Sequence, residues 1–302
     1  MQTSKYWQYR AENVLKQCEK NSNKHLNFIN RIYKETSESL AQSIRRILKG
    51  YNPEFNENEI RNWLNDSISV SEYNKLKDIL ITMPNGEYKQ KLLKKINETP
   101  LKYRLKRKIL IQDNILTYLG KSADVQLTTS TNAYKETINK SYTNTMFDIQ
   151  KGINTGFSFT MVNEKAIDKL INSRVYGKSY SSRIWRNTTK TAEKAYEVLT
   201  KGMLQGDSID TMARQLKEYT YDNSMFKATR LIRTEVNYYS NQGTAMAYKE
   251  AEIERYRYLA TLDMRTSAVC GSLDGKVFEL NNATVGVNYP PMHPFAVALL
   301  YR

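Results

Sequence analysis

Cysteine and histidine are scarce: Cys18 and Cys270, His25 and His293 are all there is in 302 residues. Two cysteines so far apart make no disulfide framework and fit a reducing compartment. Two histidines leave imidazole acid–base chemistry few options. Zinc takes about four ligands, chiefly Cys and His; Cys270 and His293, with carboxylates nearby in sequence, supply half a site. Glycine (12) and proline (6) are also few, which excludes a turn-rich β fold and leaves room for long helices. No apolar run approaches the ~18 residues of a membrane span, and residues 1–10 contain no apolar core of a signal peptide. The expectation is a protein made in a cytoplasm, with no membrane contact. Phosphate-cradling glycine loops, G-x-S-x-G and H-E-x-x-H are missing too, so no enzyme is expected.

Positive charge and tyrosine are abundant. The net charge is +15 and there are 22 tyrosines. The excess is nine in residues 1–120 and six thereafter, so it is spread along the chain. Such a field favours salt-sensitive association with polyanions, non-specific DNA among them. Its densest cluster is Lys102, Arg104, Lys106, Arg107 and Lys108, which taken alone reads first as a solvated helix face and second as a candidate nucleic-acid contact.

Apolar residues recur at spacings of three and four over 4–49, which predicts one long helix or two, broken at Gly50, Asn52 and Pro53. Helices are also expected from about 56, over 71–83, 88–97 and 101–119, with Gly120 as a C-cap, and over 124–150. The Thr128–Thr131 run is expected to be a loop or cap. Gly152, Asn154 and Gly156 mark a boundary. Further helices are predicted over 164–174, 187–204, from an N-cap at Asp207 or Ser208 through Leu216, and over 223–250. Residues 256–261 alternate and read as a strand; a turn at 273–276 leads to a return strand at Val277 and Phe278. The fold class is mainly α, with a helical N-terminal domain (1–155), a helical middle region (156–250) and a small C-terminal α+β module (251–302).

Two constellations stand out. One is a polar stripe on the 223–250 helix: Arg230, Arg233, Thr234, Glu235, Asn237, Asn241 and Gln242. It reads as a buried polar network, as a catalytic Arg and Glu, or as a structural ion pair. The other is Asp263, Arg265, Thr266, Ser267, Cys270, Asp274, Gly275 and His293. His25, in a polar helical stretch, reads as a surface residue.

The ordered series Arg233-Thr234-Glu235, Tyr248-Lys249, Tyr258-Leu259-Ala260-Thr261 with Asp263 and Arg265, the run Cys270 to Phe278, and Pro290-Pro291-Met292-His293-Pro294 resembles the Mu F-like minor head, or head morphogenesis, family of tailed phages. Arg183-Ile184-Trp185, 202–213 and Tyr6-Trp7 with Arg10-Ala11-Glu12 resemble it as well, while 50–160 is only generically similar. The resemblance implies a low-copy structural component of the virion that associates with portal and with major capsid or scaffold proteins, and contacts DNA. Arg233, Glu235, Asp263 and Arg265 are expected to hold the C-terminal module onto its helix, with Thr234, Asp274 and Gly275 in the same motif and Cys270 and His293 as remnants of a metal or structural cluster. Family members continue past His-Pro with a Cys-Arg-Cys or Cys-Arg-Ser pattern; here Phe295 to Arg302 departs from it. One inserted base at codon 295 of a back-translation restores that pattern, which would complete a zinc-like set around Cys270 and His293. In the present chain the last segment is therefore expected to be poorly anchored. The alternatives are a toxin-like nuclease or ADP-ribosyltransferase, which would need an Arg, a Ser/Thr run and a Glu in one cleft, and a plain DNA-binding accessory protein.

Overall fold

A computed structural model describes residues 3–154, 156, 158–173, 177–260, 267–293 and 298–301, with only the backbone of Leu101 and Lys102. The chain is mainly helical, as the periodicity predicts: α1 (Ser4–Ile47), α2 (Glu57–Asn65), α3 (Val70–Ile81), α4 (Glu87–Glu98), α5 (Leu101–Arg104), α6 (Arg107–Ile153), α7 (Glu164–Ile171), α8 (Tyr180–Leu204), α9 (Ile209–Glu250) and α10 (Ala268–Leu273). A small antiparallel sheet of β1 (Arg255–Ala260), β2 (Val277–Glu279) and β3 (Ala298–Tyr301), in the order β2-β1-β3, lies towards the end of the chain.

Helix starts follow local capping chemistry. Asn56 and Ser69 each form a capping box, with Glu59 and Glu72 as the reciprocal acceptors. Ser208 Oγ accepts from Thr211 N–H at 3.2 Å ahead of α9. The 4–49 pattern becomes a single helix, followed by Gly50 at φ +94°.

Three helix ends expected from the sequence do not occur. α6 runs straight through Gly120, because that glycine serves packing: a Cβ there would meet Leu92 Cδ1 at 2.7 Å. The Thr128–Thr131 run is helical as well, with Thr128 Oγ1 bonded back to Asp124 O at 3.3 Å. α9 joins the two helices expected on either side of 217–222, since no glycine or proline interrupts it before Gly243. The helix expected over 101–119 is instead split at Leu105, where Lys106 bridges to Ser67.

The chain forms two compact units that share these long helices. One comprises residues 28–128 and 181–228, the other 1–27, 129–180 and 229–302. The first is built around Leu40, Ile44, Leu48, Trp63, Tyr73, Leu76, Leu92, Ile111, Ile115, Leu199, Met212 and Leu216. At its α3–α6 contact the Tyr73 hydroxyl donates to Asp113 Oδ2 at 3.1 Å. Burial pushes the Asp113 carboxyl up to about 6, against the pull of the Tyr73 bond, Arg104 and Lys95. A carboxyl raised above its unfolded value of about 3.9 is penalised once it ionises, so stability falls as pH rises from about 4 through 6. Asp113→Asn should remove that decline. Urea unfolding of both proteins across this window checks it; the same slope in wild type and variant would count against a raised Asp113.

The second unit packs Tyr142, Met146, Ile149, Ala247, Tyr248, Tyr256, Leu280, Tyr289 and Leu300 together. Here α9 and α6 touch backbone to backbone. A Cβ on Gly243 would meet Ile138 O at 2.5 Å, Ser141 Cβ at 2.8 Å and Tyr142 N at 3.0 Å. Small hydroxyls line the same seam: Ser141 Oγ lies 2.9 Å from Ser240 Oγ, and Cys18 Sγ of α1 lies 3.2 Å from Ser141 Oγ. At an open helix position Gly→Ala stabilises by up to ~1 kcal/mol. At Gly243 overpacking against rigid backbone, roughly 1–3 kcal/mol, opposes and exceeds that gain. Gly243→Ala should therefore lower the midpoint of chemical unfolding; a raised midpoint would mean the helices do not approach this closely.

Candidate functional site

The polar stripe of α9 is buried at Thr234, Glu235, Asn237 and Asn241. Glu235, Asn237, Ser240 and Asn241 are each at most 3% exposed, and burial at that level demands partners. Asn237 and Asn241 find theirs on β3. Asn237 Nδ2 donates to Ala298 O at 3.0 Å, and Asn241 Nδ2 donates to the same oxygen at 2.9 Å. Leu300 N–H donates to Asn241 Oδ1 at 3.1 Å. One carboxamide thus donates to and accepts from the strand's main chain, as a neighbouring strand would. On its other side β3 pairs with β1, Tyr258 opposite Leu300 and Leu259 opposite Leu299. All four β3 residues are buried.

Of the segment expected to be poorly anchored, Ala298 to Tyr301 are fixed on both edges. Ala-Leu-Leu-Tyr is apolar enough to bury, and two asparagines one helical turn apart meet its backbone.

The other residues of the stripe separate. Arg233 is exposed, its Nη2 3.4 Å from Asn23 Oδ1. Thr234 Oγ1 donates to Arg230 O at 2.7 Å, within its own helix. Glu235 lies in the interior beside Tyr134, whose hydroxyl is pushed well above the usual phenol range by burial and then by the Glu235 charge. Tyr134 also stacks against Tyr239 (4.9 Å) and edge-on against Tyr180 (5.2 Å).

Asp274 and Gly275 act on the sheet. Asp274 Oδ1 accepts from Ala260 N–H at 2.9 Å. Gly275, at φ +73°, donates its N–H to Tyr258 O at 2.9 Å and accepts from Arg257 Nη1 at 3.2 Å. A left-handed conformation is needed at that turn, which explains the glycine. Asp263 and Arg265 lie outside the described residues.

Cys270 and His293 do come together, with Sγ and Nε2 3.7 Å apart. The Tyr258 hydroxyl donates to Cys270 Sγ at 3.7 Å, and Ser267 Oγ caps the α10 turn by accepting from Cys270 N–H. Among the described residues no third Cys, His, Asp or Glu joins them to form a metal cluster, short of the four donors tetrahedral zinc requires. The buried thiol and phenol and the half-buried imidazole form a polar pin under the sheet.

The described side chains of the basic cluster are engaged differently. Arg107 Nη1 donates to Trp63 O at 2.6 Å, and its guanidinium lies 4.1 Å from the Trp63 ring centroid. Arg104 Nη1 reaches Asn97 Oδ1 at 2.9 Å and Lys106 Nζ reaches Ser67 Oγ at 3.4 Å, while Lys108 is exposed. The Lys102 side chain lies outside the described residues. His25 is half-buried, 3.3 Å from Glu136 Oε2.

Sequence reasoning identifies the stripe but not what it binds, because β3 lies 57 residues beyond Asn241. It misses Gly243 altogether; a glycine inside a long helix is the one signal that could have found it. Asn241→Ala would leave Leu300 N–H without its acceptor and Ala298 O with one donor fewer. A loss of about 1–3 kcal/mol is expected, with faster hydrogen exchange at Leu300 as the local readout. Unchanged exchange would refute the clamp.

Residues 193–296 match the family described as Phage Mu protein F like protein. The match takes in the whole of α9, β1, α10 and β2, and so includes both asparagines and the Cys270–His293 pair. NAD(+)--arginine ADP-ribosyltransferase EFV of Enterococcus faecalis (strain ATCC 700802 / V583) is 28% identical to this chain over 140 residues, 45% of the chain and 28% of that protein. The chain thus spans little more than a quarter of that relative's length. No solved structure matches it.

Proposed function

Over residues 193–296 the chain is a phage Mu protein F-like family member, and from that premise we propose that it is a minor structural protein of the phage head that acts in head morphogenesis. The observation that carries this reading is the family segment itself, an unbroken series from α8 to the residues just before β3. In this reading the protein joins the procapsid through portal and through major capsid or scaffold proteins, stays in the virion, and contacts DNA non-specifically through its net positive surface during packaging or ejection. Zinc belongs to the proposal only for a relative that carries further cysteines after His293. No helix among the described residues is long and apolar enough to cross a membrane, in keeping with assembly in the host cytoplasm.

The partial similarity to an arginine ADP-ribosyltransferase favours a second reading, that of an enzyme. Such chemistry needs an Arg, a Ser/Thr and a Glu facing one open cleft. Ser130 and Glu235 do both lie against Tyr134, but all three are at most 1% exposed, while Arg233 faces solvent. A nicotinamide cofactor could not reach that Glu without opening the interior, so the structural reading is preferred.

Mass spectrometry of purified virions and procapsids tests it. The protein should be present in both at low abundance relative to the major capsid protein. Presence in the lysate with absence from both particles would overturn the head reading. Transfer of label from NAD to an arginine acceptor by the purified protein would move the enzyme to the front.

A further inference from the structure

The α1–α6 seam carries a basic groove that the family segment does not include. It has a volume of about 420 Å³ and lies between two antiparallel helices of one unit, at the small end of ligand-sized pockets. Arg10, Lys16 and Lys20 reach it from α1, and Lys151 from α6. One carboxylate, Asp148, also lines it, and that group is ion-paired with Arg10. Lys16, Lys20 and Lys151 are exposed, and among the described residues none of them is ion-paired. Lys16 and Lys20 are i,i+4 neighbours, which share one helix face.

An aromatic ring stands among these cations. Phe147 lines the same groove and is 48% exposed. Its ring is held edge-on against Phe159, with centroids 5.5 Å apart, and Phe159 rests in turn on Tyr142 at 6.0 Å. The ring is therefore fixed from behind and open on the groove side. Two further lining residues are paired with each other, Asn144 Nδ2 donating to Gln17 Oε1 at 3.0 Å.

We propose that this groove is a binding site for single-stranded nucleic acid, with phosphates on Lys16, Lys20 and Lys151 and a base stacked on Phe147. Unpaired cations that track a groove, together with an exposed ring, are the two parts such sites combine. A duplex encloses its base faces within its own stack and has none to offer the ring. An acidic peptide would satisfy the lysines but leave the ring without a partner. The site shares with the head reading only contact with nucleic acid, and particle association is measured separately, so either can fail alone.

Fluorescence anisotropy with a labelled oligothymidylate and a duplex of equal length, over about 50 to 200 mM salt, tests the proposal on the full chain. The single strand should bind more tightly than the duplex. Phe147→Leu, which keeps an apolar group against Phe159 and hence the fold, should weaken single-strand binding about tenfold, and Phe147→Tyr should restore it. Lys16→Gln with Lys20→Gln should reduce the slope of log affinity against log salt by roughly 1.4, about 0.7 for each phosphate that is no longer neutralised. Equal affinity for both nucleic acids would overturn the proposal. So would an unchanged affinity in Phe147→Leu, which would leave the ring as an apolar contact for a protein.

Discussion

The close approach of α9 to α6 at Gly243 is the constraint on which the sheet-bearing unit depends. With no Cβ between them, the helix backbones meet, and only small side chains fit beside the contact. Ser141 and Ser240 fill it with hydroxyls, and Cys18 extends the same chain of contacts into α1. A seam so narrow cannot be lined with leucines. Its polar groups must satisfy one another, and buried groups left unsatisfied would cost about 1–3 kcal/mol each. The seam therefore sets register along α9: a shift of one residue would take Gly243 from the contact and put a larger side chain against Ile138 O.

That register has a consequence on the adjoining side of the helix. Once Gly243 and Ser240 face α6, Asn237 and Asn241 face β3. Their amides do for the strand what a further strand would do, so β3 is paired on one side by β1 and on the other by side chains. Edge strands are usually protected by charge, proline or a covering element; here the cover is a helix that also satisfies the backbone. Glu235, on the remaining side, lies beside Tyr134 in the tyrosine cluster. One helix thus serves three environments, which is why its buried residues are so often polar.

Much of this is legible in the sequence, and what is not has identifiable causes. Long helices, the strand at 255–260 and the return strand at Val277 follow from periodicity and turn chemistry, which are local. Gly120 misleads because a glycine after an apolar run signals a C-cap, whereas here it makes room for Leu92, a contact no local pattern encodes. β3 misleads for a similar reason: four apolar residues say nothing about an edge until the asparagines waiting for them are known. The Arg and Glu of the family motif look like partners in sequence. Two residues apart on a helix they face different ways, so Arg233 meets solvent while Glu235 is buried.

The same geometry bears on function. Within the matched segment Asn237, Asn241, Asp274, Gly275, Cys270 and His293 are engaged with one another or with main chain. Asp274 bonds a strand, Gly275 shapes a turn, and Cys270 meets His293 and Tyr258 beneath the sheet. Residues so engaged specify a shape; a catalytic set would have to turn some of them towards an opening. A module whose characteristic side chains are spent on holding a helix, a sheet and a short turn together is suited to presenting a rigid surface.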